Sequence, residues 1–304
     1  MLTTSAFTYL AQKLKLRKHR WLMRDYSVVA VHGLGGGCYS TWSDQDNLWL
    51  AQLLPQVDNF TNAKILTFGY DAKAFTRPYN KASKGRTFTF AEALLSDLAD
   101  DRDSTEGGKL CPIIFLGHSL GGIVIKSTPR QALRHARERE SQFGNILSCT
   151  KSVIFFGTPH QGADSATWAG YLSAIGRAVG ITTTKITKEL MRWSDPLVEL
   201  TKAFSENQLA ISITTFYEVY ETHGIIVVPE ASATIGWGGE RCISLEADHS
   251  QLCKFSEGTD KWDRVQKRLR IVARDAIATL SPPQGEVEGV MNQELQDRLT
   301  ALRS

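Results

Sequence analysis

The chain has 304 residues, of which 42% are apolar and 22% charged, with 35 Lys or Arg against 32 Asp or Glu. Those proportions belong to a globular protein and exclude collagen-like, low-complexity and wholly disordered chains; the length accommodates one large α/β domain or two smaller ones. No run approaches the roughly 20 apolar residues of a membrane-spanning helix, and five dispersed cysteines without C-x-x-C spacing favour reduced thiols in an intracellular compartment.

The charge is uneven along the chain. Residues 1–24 hold six bases (Lys13, Lys15, Arg17, Lys18, Arg20 and Arg24) and no acid, which leaves 29 bases against 32 acids beyond them. This leader lacks the apolar stretch and cleavage site of a secretory signal. It reads as a solvated extension of a cytoplasmic protein, with a mitochondrial targeting segment or a helix making peripheral contact with a membrane as the alternatives. From Asp25 onward short apolar runs alternate with helical patterns. Ser27–Val31, Lys64–Phe68, Pro112–Leu116, Ser152–Phe156, Ala210–Phe216 and Arg241–Leu245 are predicted strands, most of them rich in Val, Ile and Phe with little period-2 alternation, as strands covered on both faces are. Helices are predicted near 45–54, 89–103, 121–139, 163–207 and 259–280, the second opened by a capping box of Thr89 and Glu92. The alternation implies an α/β fold, a mostly parallel sheet with helices on both faces. Residues 163–208 are too long for a simple crossover. Trp168, Tyr171, Leu172, Ile175 and Val179 fall at helical spacing there, so the segment reads as a helical insert, packed on the sheet or capping a cleft. Ser-Pro-Pro-Gln-Gly-Glu after Leu280 reads as a linker. The expected plan is a basic extension 1–24, a domain 25–280 and a tail 281–304.

The strongest chemical signal is Gly117-His118-Ser119-Leu120-Gly121, followed by Gly122, between a predicted strand and a predicted helix. A nucleophile elbow needs that context: the sharp turn strains the serine, its neighbours two residues away must be small, and the hydroxyl stands over a helix N-terminus whose dipole favours developing negative charge. A serine hydroxyl also needs a base. His249, just past the last predicted strand, stands where that base belongs in chain order; His160 and His223 are its rivals, while His19 and His135 lie on basic stretches. A carboxylate must orient the base, and Glu218, at the end of the predicted strand 210–216, is the best placed, with Glu221 and Asp195 as alternatives. Val28–Val31 runs into His32-Gly33-Leu34-Gly35-Gly36-Gly37, a loop whose backbone can approach a ligand closely. The N–H groups of Leu34 and Leu120 are the expected oxyanion donors, and His32, Gly33, Gly35 and His118 the expected substrate contacts. No Gly-Lys-Ser/Thr follows the loop and Cys38 stands where a G-x-G-x-x-G counted from Gly33 needs glycine, so neither a phosphate loop nor dinucleotide binding is expected.

Further segments carry a family pattern: Val-His-Gly-Leu-Gly-Gly (31–36), Thr-Trp (41–42), Leu-Trp-Leu (48–50), Phe-Gly-Tyr-Asp (68–71), Ile-Phe-Leu-Gly-His-Ser-Leu-Gly-Gly (114–122), Phe-Phe-Gly-Thr-Pro-His-Gln-Gly (155–162), Phe-Tyr-Glu (216–218) and Ala-Asp-His-Ser (247–250). With them the chain resembles the lipase-like α/β-hydrolases that include the serine-active-site-containing and GPI inositol-deacylase-like proteins, and most of all the hydrolase domains that open fungal NACHT or ankyrin multidomain proteins. The resemblance implies an α/β-hydrolase fold over about residues 25–280, with Ser119, Glu218 and His249 as nucleophile, acid and base. It implies a serine esterase acting on a small-molecule or lipid ester, with no metal or organic cofactor and no nucleic-acid partner. An acyltransferase or cyclase with the same triad, and a signalling module that keeps only the fold, are the alternative readings. Two departures stand out. Lys126-Ser127-Thr128-Pro129-Arg130 interrupts the helix after the elbow, where proline costs roughly 3 kcal/mol, so a kink or restart is expected. No NACHT or repeat region follows within these 304 residues, so the chain reads as either a standalone enzyme or an excised domain. The loop 72–89 carries Lys73, Arg77, Lys81, Lys84 and Arg86 without an acid apart from Asp71 before it, and reads either as a solvated loop or as a basic rim favouring acidic lipids or acyl thioesters.

Overall fold

A computed structural model describes residues 7–9, 26–72, 86–105, 108–136, 140–162, 164–180, 194–206 and 211–279. The main strands are β1 (Phe7–Tyr9), β2 (Tyr26–Val31), β3 (Ala63–Phe68), β4 (Ile113–His118), β5 (Thr150–Phe156), β6 (Ser212–Glu218) and β7 (Arg241–Leu245). They form one sheet in the order β1-β3-β2-β4-β5-β6-β7. Every pairing from β3 to β7 is parallel; only β1 runs antiparallel, with Phe7 opposite Phe68. β1 comes from inside the basic segment 1–24, the rest of which lies outside the described residues, as does the tail beyond 279.

Alternate side chains of the buried strands feed two cores, one on each face. Val28 and Ala30 of β2 pack with Trp49, Leu252 and the apolar side of α6 (Asp260–Ala278), including Trp262, Val265 and Leu269. Val29 and Val31 pack with Leu94 and Leu98 of α1 (Arg86–Asp103), Val124 of α2 (Leu120–Ala136) and Phe143 of α3 (Glu140–Cys149). Thr259 caps α6, its hydroxyl accepting the Trp262 N–H at 3.2 Å. Among the described residues of the 163–208 segment are two helices, α4 (Ser165–Ala178), capped by Asp164, and α5 (Ser194–Glu206).

Three local expectations change. α1 begins at Arg86, so Thr89 and Glu92 sit inside the helix and are not its capping box. The helix expected near 45–54 is a two-residue hairpin, Ser43–Asp44 with Asn47–Leu48, then one helical turn at Trp49–Gln52 and a 3-10 turn at Leu54–Gln56; Pro55 suits the start of that second turn, where no N–H is needed. α2 neither stops nor restarts at Pro129. The Ile125 carbonyl, which proline cannot serve, accepts instead from Thr128 Oγ1 at 2.7 Å, and Ser127 Oγ donates to the Ile123 carbonyl at 2.9 Å. The Thr128 hydroxyl fills the gap that the proline makes, while the Ser127 bond is an ordinary back-bond to a carbonyl the proline leaves served.

Candidate active site

Between the last residue of β4 and the first of α2 stands one residue, Ser119, in the left-handed region at φ 51°. A non-glycine residue there costs about 1–2 kcal/mol. Its backbone is held in place: its N–H donates to Phe156 O at 2.9 Å, and its carbonyl accepts from the Gly122 N–H and from Thr158 Oγ1, both at 3.1 Å. The small neighbours answer to close backbone. A Cβ on Gly121 would lie 2.2 Å from Val31 O, and one on Gly33 would lie 2.9 Å from Ser119 Cβ. The glycine loop after β2 therefore passes directly against the elbow.

His249 arrives from the loop after β7, and Glu218 is the last residue of β6. His249 Nε2 is 3.0 Å from Ser119 Oγ, and His249 Nδ1 is 3.3 Å from Glu218 Oε1, which also accepts the Val228 N–H at 2.6 Å. All three side chains are buried. With Nδ1–H donating to the carboxylate, the Nε2 lone pair is left for the serine proton, the tautomer a base requires. The other sequence candidates are elsewhere. Glu221 and His223 are exposed, Asp195 opens α5, and His160 is buried among Lys126 and Phe155. Asp248 accepts the Ser250 and Gln251 N–H groups in a turn. His19 and the His135 side chain lie outside the described residues.

The two histidines expected as substrate contacts each bond to backbone, because a buried ring needs a partner for its N–H. His32 stacks on Tyr70 at 4.5 Å; its Nδ1 donates to Gly33 O at 3.0 Å while the Tyr70 hydroxyl donates to His32 O at 2.8 Å. His118 Nε2 is 3.1 Å from His249 O. Burial lowers the pKa of both, that of His118 to about 3, with neighbouring His249 adding to the shift. His118 is therefore neutral in ordinary buffers. Gly35, at φ 71°, lies against Val179 just past the end of α4; a Cβ there would be 2.8 Å from Val179 Cβ.

Leu34 and Leu120, the residues whose N–H groups were expected to hold an oxyanion, bury their side chains in one apolar cluster with Trp168, Leu172 and Ile175 of α4 and Val227 and Val228. Leu120 is the first residue of α2, where an N–H has no acceptor within the helix. The insert stripe thus packs in the same core as Leu34 of the glycine loop and Leu120 of the elbow. Of the basic loop, Lys73, Arg77, Lys81, Lys84 and the Arg86 side chain lie outside the described residues. Among the described residues no three His, Cys, Asp or Glu side chains converge as a metal site would, and no helix is long and apolar enough to cross a membrane.

The clamp on the base loop has no signal in the sequence. Thr222 Oγ1 accepts the His249 N–H at 3.0 Å, Trp49 Nε1 donates to Cys253 O at 2.9 Å and Asn47 Nδ2 to Phe255 O at 2.9 Å. The last two partners are more than 200 positions apart in the chain.

Comparison with known proteins agrees with this architecture. No family model matches the chain. It is 26% identical over 259 residues to Protein SERAC1 of Danio rerio and 23% identical over 256 residues to Protein SERAC1 of Homo sapiens. Each alignment covers 75% of this chain and 36% of the relative, so the chain spans about a third of the length of these curated relatives. The crystal structure of Bacillus licheniformis lipase BlEst2 superposes with a TM-score of 0.52 at 17% identity, over 87% of this chain and 97% of that one. The mostly parallel sheet and its superposition on such a neighbour make this chain a protein of the α/β-hydrolase fold, similar in sequence to the SERAC1 proteins.

Proposed function

We propose that the protein is a serine hydrolase that cleaves carboxylic esters through an acyl-enzyme. The observation that carries this reading is the 3.0 Å approach of His249 Nε2 to Ser119 Oγ, with the serine at positive φ and the far ring nitrogen facing Glu218. His249 takes the hydroxyl proton as Ser119 Oγ attacks the ester carbonyl. The Leu34 and Leu120 N–H groups receive the oxyanion, aided by the α2 dipole. The protonated base then gives its proton to the leaving alcohol, and Glu218 stabilises the imidazolium without being protonated itself. Water, deprotonated by His249, releases the acid.

Mixing enzyme with excess p-nitrophenyl ester tests the acyl-enzyme. The expected trace is a burst of about one equivalent of phenolate followed by slower turnover, absent in Ser119→Ala. Turnover by Ser119→Ala at the wild-type rate would overturn the proposal.

A further inference from the structure

Catalysis by a base in a loop depends on how that loop is held. His249 belongs to neither a helix nor a strand; it follows β7 in a stretch of turns. A base misplaced by about 1 Å loses on the order of 100-fold in rate. Two side chains grip its backbone from opposite sides. On one side the His249 N–H donates to Thr222 Oγ1 at 3.0 Å. On the other, His118 Nε2 lies 3.1 Å from the His249 carbonyl, with the rings 5.2 Å apart.

These grips come from the segments that carry the other two members of the site. His118 is the residue before Ser119, and Thr222 lies four residues beyond Glu218. The Thr222 turn is itself closed by paired backbone bonds with Ile225, and the Tyr220 N–H donates to Ala247 O at 3.1 Å. Resting on the proposed hydrolase reading, we infer that His118 is a positioning residue: its Nε2–H holds the His249 carbonyl so that the distance from base to nucleophile is set by one rigid strand end, with Thr222 as the opposing jaw. The geometry needs a donor at Nε2 of His118, and a neutral ring supplies one while adding no charge beside the base. The groups that bear on this ring electrostatically are His249, His32 and Lys254, each of which opposes a second positive charge there. The ring is buried, so the bond is sheltered from competing water.

The role separates His118 from a space-filling residue, because only the donor matters. Gln places its amide N–H where His Nε2–H stands; Leu fills similar volume and donates nothing. The test measures fluorophosphonate labelling rates and ester kinetics for wild type, Ser119→Ala, His118→Leu, His118→Gln and Thr222→Val, alongside thermal melting. His118→Leu is expected to lose about 100-fold in kcat and in labelling rate with KM little changed. His118→Gln should recover most of that loss, and Thr222→Val should show a smaller fall of the same kind. Wild-type kcat in His118→Leu would overturn the inference, as would a His118→Gln no better than Leu when both melt like wild type. If His118→Leu fails to fold, a Thr222→Val variant of normal melting and unchanged kcat overturns the clamp instead. Labelling of wild type and its loss in Ser119→Ala keep the hydrolase reading standing in any of these cases. A wild type that does not label overturns both.

Discussion

Two buried polar clusters lie along α2, one at its first turn and one two turns further on, and they are built on opposite terms. At the first turn His249 and His118 each pair through a ring nitrogen with protein groups, and the chain of contacts runs from Ser119 to Glu218. Two turns on, Lys126 is buried, donates to Pro159 O at 3.2 Å and rests over the rings of Trp168 and Phe204 at 5.8 and 5.9 Å. Beside it neither ring nitrogen of His160 has a hydrogen-bond partner among the described residues. Burial drives the Lys126 pKa down to about 7 and that of His160 well below its usual value. Desolvation is common to both clusters; what distinguishes the first is directed bonding between groups of complementary role. A perturbed buried base is therefore not by itself a site.

The largest predicted effect breaks the first cluster. Glu218→Gln presents an amide to His249 Nδ1 and favours the wrong tautomer, so kcat should fall about 10³- to 10⁴-fold with the melting temperature nearly unchanged, as steady-state kinetics and calorimetry would reveal. Breaking the second cluster should alter stability and leave labelling untouched. Lys126 has a folded pKa near 7 against 10.5 when unfolded, so the unfolded chain binds more protons between those values and stability rises with pH across that window. Lys126→Met removes the buried cation. Its melting temperature should exceed wild type most below pH 7, by an amount reflecting a few kcal/mol, and the gap should narrow toward pH 10.5. A gap that widens with pH would contradict this placement of Lys126.

The smallest predicted effect concerns α2, the helix common to both clusters. Thr128→Val strips the Ile125 carbonyl of its donor and should cost about 1–2 kcal/mol in denaturant unfolding. Adding Pro129→Ala to that variant restores a backbone N–H and should return most of the loss. A double variant as weak as the single one would show that the carbonyl was not the cause.

How far the sequence revealed these regions follows from the range of the forces involved. The buried strands from β2 to β6 announce themselves as apolar runs, because each is covered on both faces; β7, at the other sheet edge, is exposed over its first two residues. The elbow is legible because its strain, small neighbours and helix start all lie within six residues. β1 is not legible: three residues pair with β3 at the sheet edge, and no pattern in so short a piece predicts pairing with residues near 67. Thr89 and Glu92 have the spacing of a capping box, but the helix begins a turn earlier. Pro129 looks like a break because the compensating Thr128 hydroxyl bond acts only once the helix exists. The role of His118 escapes sequence reasoning for a different reason. Its partner is 131 positions away, and a histidine inside the motif looks like part of the pocket until the His249 carbonyl is seen against its ring.

The most direct test of the account is covalent. The protein is treated with a fluorophosphonate, its intact mass is taken, and the adduct is located by peptide mapping. The account predicts one adduct, on Ser119, absent in Ser119→Ala and formed far more slowly in His249→Ala. No adduct on the folded wild-type protein, or one that persists at the same rate in Ser119→Ala, would contradict it.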